Sequence, residues 1–258
     1  MKCQLFPSRS RICQRAISCD GHCVASPTFR EWRGIGAWLD VGIERASSVS
    51  LPVLTSVQAG LPGMPAMNLE QIYRRVWDSL AAAVREDDHP FKVMQAATIG
   101  LDGCPNVRTV LLRSVSEQEN LLTFHTDLRS PKVAELSREP RVALVGVDTV
   151  RNLQVRVTGQ TRIVRDGQAR LDAWRTSPDH DLVVYRTHVA PGTPISQADN
   201  ALDGTRDAPG PDQGLKHFCV VEVHPTSLDW LEHVTVDRQQ RARFVRQDHI
   251  WLRSWIAP

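Results

Sequence analysis

The sequence has no long hydrophobic run and almost no net charge. No apolar stretch approaches the roughly 18–20 residues that span a bilayer, so we expect no membrane segment. There are 31 Lys and Arg against 29 Asp and Glu, a net charge of +2. The small positive excess lies in the first 66 residues, and the rest of the chain is nearly neutral. We therefore expect a globular protein that binds neither membranes nor nucleic acids.

Cysteine is scarce outside the first two dozen residues. The six cysteines are Cys3, Cys13, Cys19, Cys23, Cys104 and Cys219. The first four could ligate zinc together with His22, but their spacing is irregular and contains no C-x-x-C. Incidental thiols are the preferred interpretation, so we predict no metal site. The first residues also lack the apolar segment of a secretory signal, and we expect a cytoplasmic protein.

The sequence also lacks the familiar catalytic signatures. It contains no G-x-S-x-G, no H-E-x-x-H, no P-loop and no glycine fingerprint for dinucleotides. Asp179, His180 and Asp181 could suggest acid–base chemistry, but they follow Pro178 and are interpreted as a solvated turn. The catalytic residues therefore stay unknown from sequence alone.

Residues 1–66 form a low-complexity N-terminal extension in this interpretation, and residues 67–258 form the folded domain. The extension is rich in Ser, Arg, Pro and Gly and has no sustained hydrophobic period. Two explanations remain open for it. It is either a disordered or targeting-like segment, or upstream sequence that is not translated because synthesis starts at Met64 or Met67.

The folded part combines one clear helix with short strands. Residues 68–86 begin with a capping pair, Asn68 and Gln71, and continue with apolar residues at helical spacing. Residues 93–100 predict a strand that turns through residues 101–105 into the next strand. Strands connected so closely predict an antiparallel meander that closes into a β-barrel with flanking helices.

Later segments continue the pattern. Residues 152–164 alternate, with Gln154 and Arg156 on one face of a strand and Val155 and Val157 on the other. Residues 166–176 predict a helix that buries Leu171 and Trp174. Residues 188–215 hold four glycines and four prolines, which is typical of a long loop, either a functional lid or disordered. Four more strands are predicted at residues 217–224, 228–231, 241–245 and 250–256.

Two strands and a helix start between residues 108 and 136 carry the chemistry. Residues 108–113 and 122–126 are short, β-branched and apolar, as strands are. Ser130 can cap a helix that begins at Pro131 and has Lys132 in its first turn. A cation at that end opposes the helix dipole unless an anion lies between them, and Arg108 could supply a second positive arm. A phosphate site and a plain surface lysine both fit this pattern.

These segments resemble the pyridoxamine 5'-phosphate oxidase family, the FMN-binding split β-barrels. The family's Arg-x-Val-Leu-Leu-Lys strand corresponds to residues 108–113, and its Phe-Tyr-Thr-Asn strand end to residues 124–127. Its Ser-x-Lys helix start corresponds to residues 130–132, and its Gln-Val-x-Val-x-Gly strand to residues 154–159. The chain also closes similarly, with Trp230, Arg243-Phe244 and a terminal Trp-Ile-Ala-Pro. The resemblance covers residues 67–258.

The resemblance implies a mainly β, antiparallel, Greek-key-like split barrel that forms a homodimer with FMN at the subunit interface. It implies that Arg108, Ser130 and Lys132 hold the phosphate. Thr126 and Gln154 would lie near the ring, and Trp230 and Arg243 would come from the partner subunit. The implied cofactor contacts are Arg108, Val110, Leu111, Arg113, His125, Thr126, Ser130, Lys132, Gln154, Trp230 and Arg243. For Trp230, Arg243 and His125 the alternatives are core packing, an exposed strand arginine and a plain strand-end histidine.

The chain departs from the family mainly in the substrate half of the site. Arg113 stands in place of the strand lysine, and Pro131 stands where an arginine often helps hold phosphate. Residues 238–243 lack the histidine of the family's Arg-x-His-Asp-Arg run. Ala173 and Ser177 stand near the Tyr and Arg that hold the substrate phosphate. The sequence therefore resembles a shorter relative without the full substrate motif.

The predicted function is an FMN-dependent oxidoreductase of the pyridoxamine 5'-phosphate oxidase-like type. It would transfer a hydride between the flavin and a small organic substrate. Two alternatives stay open: a non-catalytic flavin or haem binding protein of the same fold, and a deazaflavin-dependent reductase.

Overall fold

The computed structural model describes residues 67–198, 212–235 and 238–258. The expected N-terminal extension, with its four early cysteines, lies outside these residues. So do residues 199–211 of the expected loop. The domain boundary at residue 67 therefore stays a prediction.

The first helix, α1 (Leu69–Arg85), begins as the sequence predicts. Asn68 accepts a hydrogen bond from the Gln71 backbone, and the Gln71 side chain accepts one from the Asn68 backbone. This capping box satisfies two of the backbone donors that a helix start leaves free. The buried face contains Ile72, Tyr73, Val76, Trp77, Leu80 and Ala83, all part of the main core cluster.

Eight antiparallel strands form one sheet, which confirms the predicted mainly β fold. The strands are β1 (Val93–Ile99), β2 (Pro105–Ser116), β3 (Leu121–Asp127), β4 (Arg141–Asp148), β5 (Leu153–Val164), β6 (Phe218–Thr235), β7 (Arg238–Gln247) and β8 (Ile250–Trp255). Their order is β3-β2-β1-β4-β5-β6-β7-β8, and β3 also pairs with β6. That extra pairing closes the first six strands into a barrel. Strands β7 and β8 continue the sheet beyond it.

Strand β6 corrects the sequence prediction of two separate strands at residues 217–224 and 228–231. It is a single strand of 18 residues that continues through Pro225. The pairing with β5 shifts register between Thr158 and Gly159, where Pro225 lies opposite Gly159. A bulge can accommodate a proline, which has no N–H to donate to the ladder. Gly159 is needed there because a Cβ would lie 2.4 Å from the His224 carbonyl oxygen.

The other α-helices among the described residues are short. They are α2 (Pro131–Arg138), α3 (Gln168–Thr176) and α4 (Asp179–Leu182). Trp174 of α3 is buried, as predicted, in a second cluster with Tyr185 and Phe218, whereas Leu171 is only half-buried. The Asp-His-Asp segment lies in the single helical turn α4, where Asp179 and His180 are exposed to solvent, as predicted, and Asp181 is half-buried.

The faces of the central strands follow the predicted alternation. Val155 and Val157 of β5 are fully buried, whereas Gln154 and Arg156 are half-buried on the outward face. The outward faces of β1, β2 and β4 also expose large apolar side chains. These are Val93, Ile99, Val107, Leu111 and Val147, each at least 40% exposed.

Candidate functional site

Lys132 lies at the first turn of α2, where the sequence predicts an anion. Its Nζ donates to Thr126 Oγ1 at 2.9 Å and to Ser130 Oγ at 3.1 Å, and both hydroxyl-bearing residues are buried. Burial, and secondly the nearby Arg108 guanidinium, lower the pKa of Lys132. No salt bridge among the described residues involves Lys132. A desolvated lysine held only by hydroxyls can bind an anion.

Ser130 is the N-cap residue of α2, and Pro131 occupies the first helical position. The predicted side-chain cap is not present, because the Ser130 hydroxyl makes no hydrogen bond to the helix backbone. It accepts the bond from Lys132 instead. Pro131 has no N–H and the Val133 N–H donates to the Ser130 carbonyl at 2.9 Å, so the Lys132 N–H is the first-turn donor left for a negatively charged group.

Arg108 lies close enough to Lys132 to affect its pKa, but its guanidinium already has partners. It forms a salt bridge of 2.8 Å with Glu135 Oε2 and donates to the Thr98 hydroxyl. Glu135 also accepts from Thr98 at 2.6 Å and from the Asn106 amide at 2.8 Å. The structure thus brings the two predicted cations together and places a buried carboxylate beside them.

Arg113 and His125 lie at a different place, in the wall of a cavity of about 370 Å³. Arg113 forms a salt bridge of 2.9 Å with Asp181 of α4. His125 Nδ1 lies 3.4 Å from the Ser177 hydroxyl. Burial, and then the Arg113 charge, lower the pKa of His125 to about 4. The ring is therefore neutral near pH 7 and presents no positive charge to the cavity.

Gln154 faces outward from β5, as the alternation predicts. It lines a cavity of about 610 Å³ together with Leu231 and His233. Of the two apolar candidates on β2, Leu111 points outward and is 43% exposed, whereas the Val110 side chain is buried in the core. Only the backbone of Val110 could therefore contact a ligand.

Trp230 was predicted to reach the cofactor across a dimer interface, with core packing as the alternative, and its placement favours core packing. Its side chain is 0% exposed and belongs to the main core cluster. Its indole Nε1 has no hydrogen-bond partner among the described residues, and the Arg75 guanidinium lies 5.0 Å from the ring centroid. Because side chains alternate along β6, the neighbouring Leu231 lies outward beside Gln154.

Arg243 lies on the outward face of β7 with 44% of its side chain exposed. It shares the buried carboxylate of Asp229 with Arg156 and Arg241, at N–O distances of 3.0–3.3 Å. Three cations on one carboxylate leave two positive charges uncompensated within this cluster. The cluster borders a cavity of about 550 Å³.

The candidate residues thus fall into four places. Arg108, Thr126, Ser130 and Lys132 form one group, Arg113 and His125 a second, Gln154 a third and Arg243 a fourth. Sequence reasoning missed the acidic partners Glu135, Asp181 and Asp229. For Glu135 a signal exists, because it follows Lys132 by three positions and so lies on the same side of a helix.

No metal-binding cluster and no membrane-spanning helix is found in the part of the chain that the structure describes. No group of three or more His, Cys, Asp and Glu could hold a metal ion there. The four early cysteines lie outside that part. Among the same residues, no helix has both the length and the apolar character needed to cross a bilayer.

Comparison with known proteins agrees with the resemblance in the sequence. Residues 74–165 match the family model described as pyridoxamine 5'-phosphate oxidase, FMN-binding domain. The pyridoxine/pyridoxamine 5'-phosphate oxidase 2 of Arabidopsis thaliana is 28% identical over 153 residues, 56% of this chain and 75% of that protein. The pyridoxine/pyridoxamine 5'-phosphate oxidase of Hyphomonas neptunium is 28% identical over 196 residues, 70% of this chain and 84% of that protein.

Solved structures support the same fold. A pyridoxamine 5'-phosphate oxidase-related, FMN binding protein from Nostoc punctiforme superimposes with a TM-score of 0.61 at 23% identity, covering 72% of this chain and 97% of that one. PhzG from Burkholderia lata superimposes with a TM-score of 0.57 at 18% identity, covering 79% and 100%. The chain is therefore similar to the pyridoxamine 5'-phosphate oxidase family, whose FMN-binding domain model matches residues 74–165, and it shares the fold of these solved structures.

Proposed function

We propose that this relative of the pyridoxamine 5'-phosphate oxidase family is a homodimeric FMN-dependent oxidoreductase, with residues 67–258 as its cofactor-binding domain. It transfers a hydride between the flavin and a small organic substrate. The observation that carries the proposal is the position of Lys132. A partly buried lysine at a helix start, bonded to two hydroxyls and lying near Arg108, is suited to a phosphate.

The residues at the start of α2 fit the terminal phosphate of FMN. Lys132 supplies a cation and its backbone N–H at the helix start, and Ser130 and Thr126 supply hydroxyls. Arg108 adds a second cation if some of its guanidinium N–H groups turn from Glu135 toward the phosphate. When bound, FMN supplies the isoalloxazine ring that exchanges hydride with the substrate.

Other residues of the chain would surround the ring. Gln154 presents an amide on the outward face of β5, and the exposed Leu111 presents an apolar surface on β2. His125 stays neutral at pH 7 and can accept or donate a hydrogen bond without adding charge. Arg243, which already faces outward, is available to a flavin held by a second copy.

The proposed dimer would use the outward faces of β1, β2 and β4. Val107 is 66% exposed, Val147 46%, Leu111 and Val93 43%, and Ile99 40%. Large apolar side chains grouped on one face of a sheet indicate a protein interface. A second copy of this chain is the proposed partner, because Leu111 and Gln154 lie on this same outward surface and would be enclosed by it.

The first experiment identifies the cofactor of the purified full-length protein. We expect a yellow protein with flavin absorbance that releases FMN on denaturation. Haem or deazaflavin absorbance would support the alternative cofactors. A flavin protein that is not reduced by any of a panel of amines and alcohols would be a non-catalytic binder.

The second experiment tests the phosphate assignment. Lys132→Ala should weaken FMN binding by about 10- to 100-fold, because one charge-assisted bond contributes roughly 1.5–3 kcal/mol. Lys216→Ala is the matched control, since this lysine is exposed and lies outside the proposed site. Fluorescence quenching of FMN measures both affinities. Equal affinity of the parent and Lys132→Ala proteins would refute the assignment.

A further inference from the structure

A cavity between α3 and the outer faces of β3 and β6 has the size of a small-molecule site. Its volume is about 370 Å³, within the range of roughly 300–1,000 Å³ for ligand pockets and enough for about one ring. Its walls combine apolar side chains with hydroxyls: Leu121, Ala169, Ala173, Val220, Ser114, Thr123, Thr176 and Ser177. Arg113 and His125 line it too, so a ligand here would lie beside two of the proposed cofactor contacts.

The charged side chains of this cavity are already neutralised by partners from the protein. Arg113, the one arginine among the lining residues, forms its 2.9 Å salt bridge with Asp181. Glu222 accepts two hydrogen bonds from Arg162, at 2.7 and 2.9 Å. His125 is neutral near pH 7 because it is buried, which lowers its pKa to about 4. The lining therefore offers no free positive charge to an anionic ligand.

The helix side of the cavity does not add a cation. Ala173 contributes only a methyl group. Ser177 donates its hydroxyl to the Ala173 carbonyl at 2.7 Å and lies 3.4 Å from His125 Nδ1. A phosphate monoester carries about −1.5 to −2 charge near pH 7. Transferring this charged group from water to a cavity without a free cation costs free energy. Hydrogen bonds to these hydroxyls do not compensate for that cost.

We propose that this cavity binds a polar molecule of about one ring in size that carries no phosphate, and that it discriminates against phosphate monoesters. The proposal rests on the proposed function, since the cavity would hold its ligand beside His125, which is proposed to lie near the flavin ring. Asp181 determines this preference, because its carboxylate forms a salt bridge with the guanidinium of Arg113 and neutralises its charge. Ala173 and Ser177 maintain it by leaving the opposite wall uncharged.

The test compares pyridoxamine with pyridoxamine 5'-phosphate on the purified, flavin-loaded full chain by calorimetry. The parent protein should bind pyridoxamine at least about tenfold more tightly than the phosphate ester. Asp181→Asn frees Arg113 and should improve binding of the ester by about tenfold, the effect of one charged hydrogen bond. Asp172→Asn is the matched control, because it removes the same charge from an exposed position on α3.

A second variant covers the case in which Asp181→Asn fails to fold, which its melting temperature would reveal. Ser177→Arg places a guanidinium in the opposite wall and should also improve binding of the ester. The proposal is overturned if the parent binds the ester as tightly as pyridoxamine, or if it binds neither. It is also overturned if a folded Asp181→Asn behaves like Asp172→Asn, or if a folded Ser177→Arg gains no affinity for the ester.

These outcomes are separable from failure of the proposed function. Calorimetry measures binding without turnover, so a protein that binds pyridoxamine but never reduces its flavin contradicts the oxidoreductase and not the cavity's preference. Conversely, a protein that turns over a phosphate ester and binds it tightly contradicts the preference and leaves the flavin enzyme intact.

Discussion

The carboxylate of Glu135 lies 2.8 Å from the guanidinium of Arg108. Glu135 is 4% exposed and also accepts hydrogen bonds from Thr98 and Asn106. Its charge acts on Lys132 as well, since it opposes the lowering of that lysine's pKa. An anion of the protein therefore stands beside the two cations that we propose for the FMN phosphate.

Removing this charge should tighten FMN binding. In Glu135→Gln the amide can keep hydrogen bonds to its neighbours, but it no longer repels the phosphate or holds Arg108 by charge. We expect a gain of about 1 kcal/mol, roughly fivefold in affinity, measured by quenching of FMN fluorescence. Glu139→Gln, at the half-buried C-cap of α2 and paired with Arg141, is the control. Weaker binding with an unchanged melting temperature would mean that Glu135 positions Arg108 for the phosphate.

The stability of the protein should fall as the pH drops from about 6.5 to about 4. Burial lowers the pKa of His125 to about 4 from its ordinary value of 6.5. The unfolded state therefore binds a proton in this range before the folded state does. Folding stability is then lost as pH falls, with a slope of at most about 1.4 kcal/mol per pH unit from this residue.

Urea unfolding of His125→Gln at pH 7, 6 and 5 checks the pH prediction. The variant should have a flatter dependence than the parent, because the glutamine does not titrate. His180→Gln is the control, since this histidine is 82% exposed. Parallel curves for the parent and His125→Gln would show that another group causes the dependence.

A third prediction concerns Trp230, which the structure places in the core. Trp230→Phe should cost less than about 1.5 kcal/mol, because it loses apolar contacts but also removes a buried N–H without a hydrogen-bond partner. FMN affinity should change less than about twofold. Chemical denaturation and fluorescence titration measure the two effects. Loss of flavin from a variant of normal stability would restore Trp230 to the cofactor site.

Charge on the outward face of β2 should dissociate the proposed dimer. Val107→Lys removes an apolar contact of about 1.5 kcal/mol in each copy, and a twofold interface contains the substitution twice. The dimer dissociation constant should therefore rise at least about a hundredfold. Light scattering coupled to gel filtration measures it. Val184→Lys, at another exposed position, is the control. If the Val107→Lys and Val184→Lys proteins had the same mass in solution, the dimer interface would not include the outward face of β2.

Most of the barrel could be predicted from the sequence because neighbouring strands such as β1 and β2, or β4 and β5, are joined by short turns. The capping pair of Asn68 and Gln71 and the alternation of Val155 and Val157 each depend on neighbouring residues only. The long strand β6 could not be predicted, because Pro225 ends a strand by local rules. It is tolerated only because Gly159, distant in sequence, lies opposite it.

The candidate site likewise has one part that the sequence predicts and another part that it does not. Lys132, Ser130 and Thr126 lie within seven residues of each other, so their proximity follows from one strand end and one helix start. The partners Asp181 and Asp229 depend on pairings across the sheet or on the packing of α4, which a sequence pattern does not specify. For Trp230 the sequence left core packing open beside the cofactor role, and the structure favours core packing. Neighbouring positions on a strand face opposite sides of the sheet, so the pattern alone did not decide between the two.

The bulge at Gly159 and Pro225 has a consequence for the whole outer surface of the protein. Beyond it, β6 pairs with both β5 and β7 and carries Asp229, Trp230 and Leu231. If the register of β6 against β5 shifted by one residue, the side chains in this half of β6 would move to the opposite face of the sheet. The indole of Trp230 would then face solvent, and the carboxylate of Asp229 would face the apolar core. Three arginines would then lose their common counter-ion at once. The absence of a side chain at Gly159 therefore permits the bulge that keeps Asp229 and its three arginines on the outward face of the barrel.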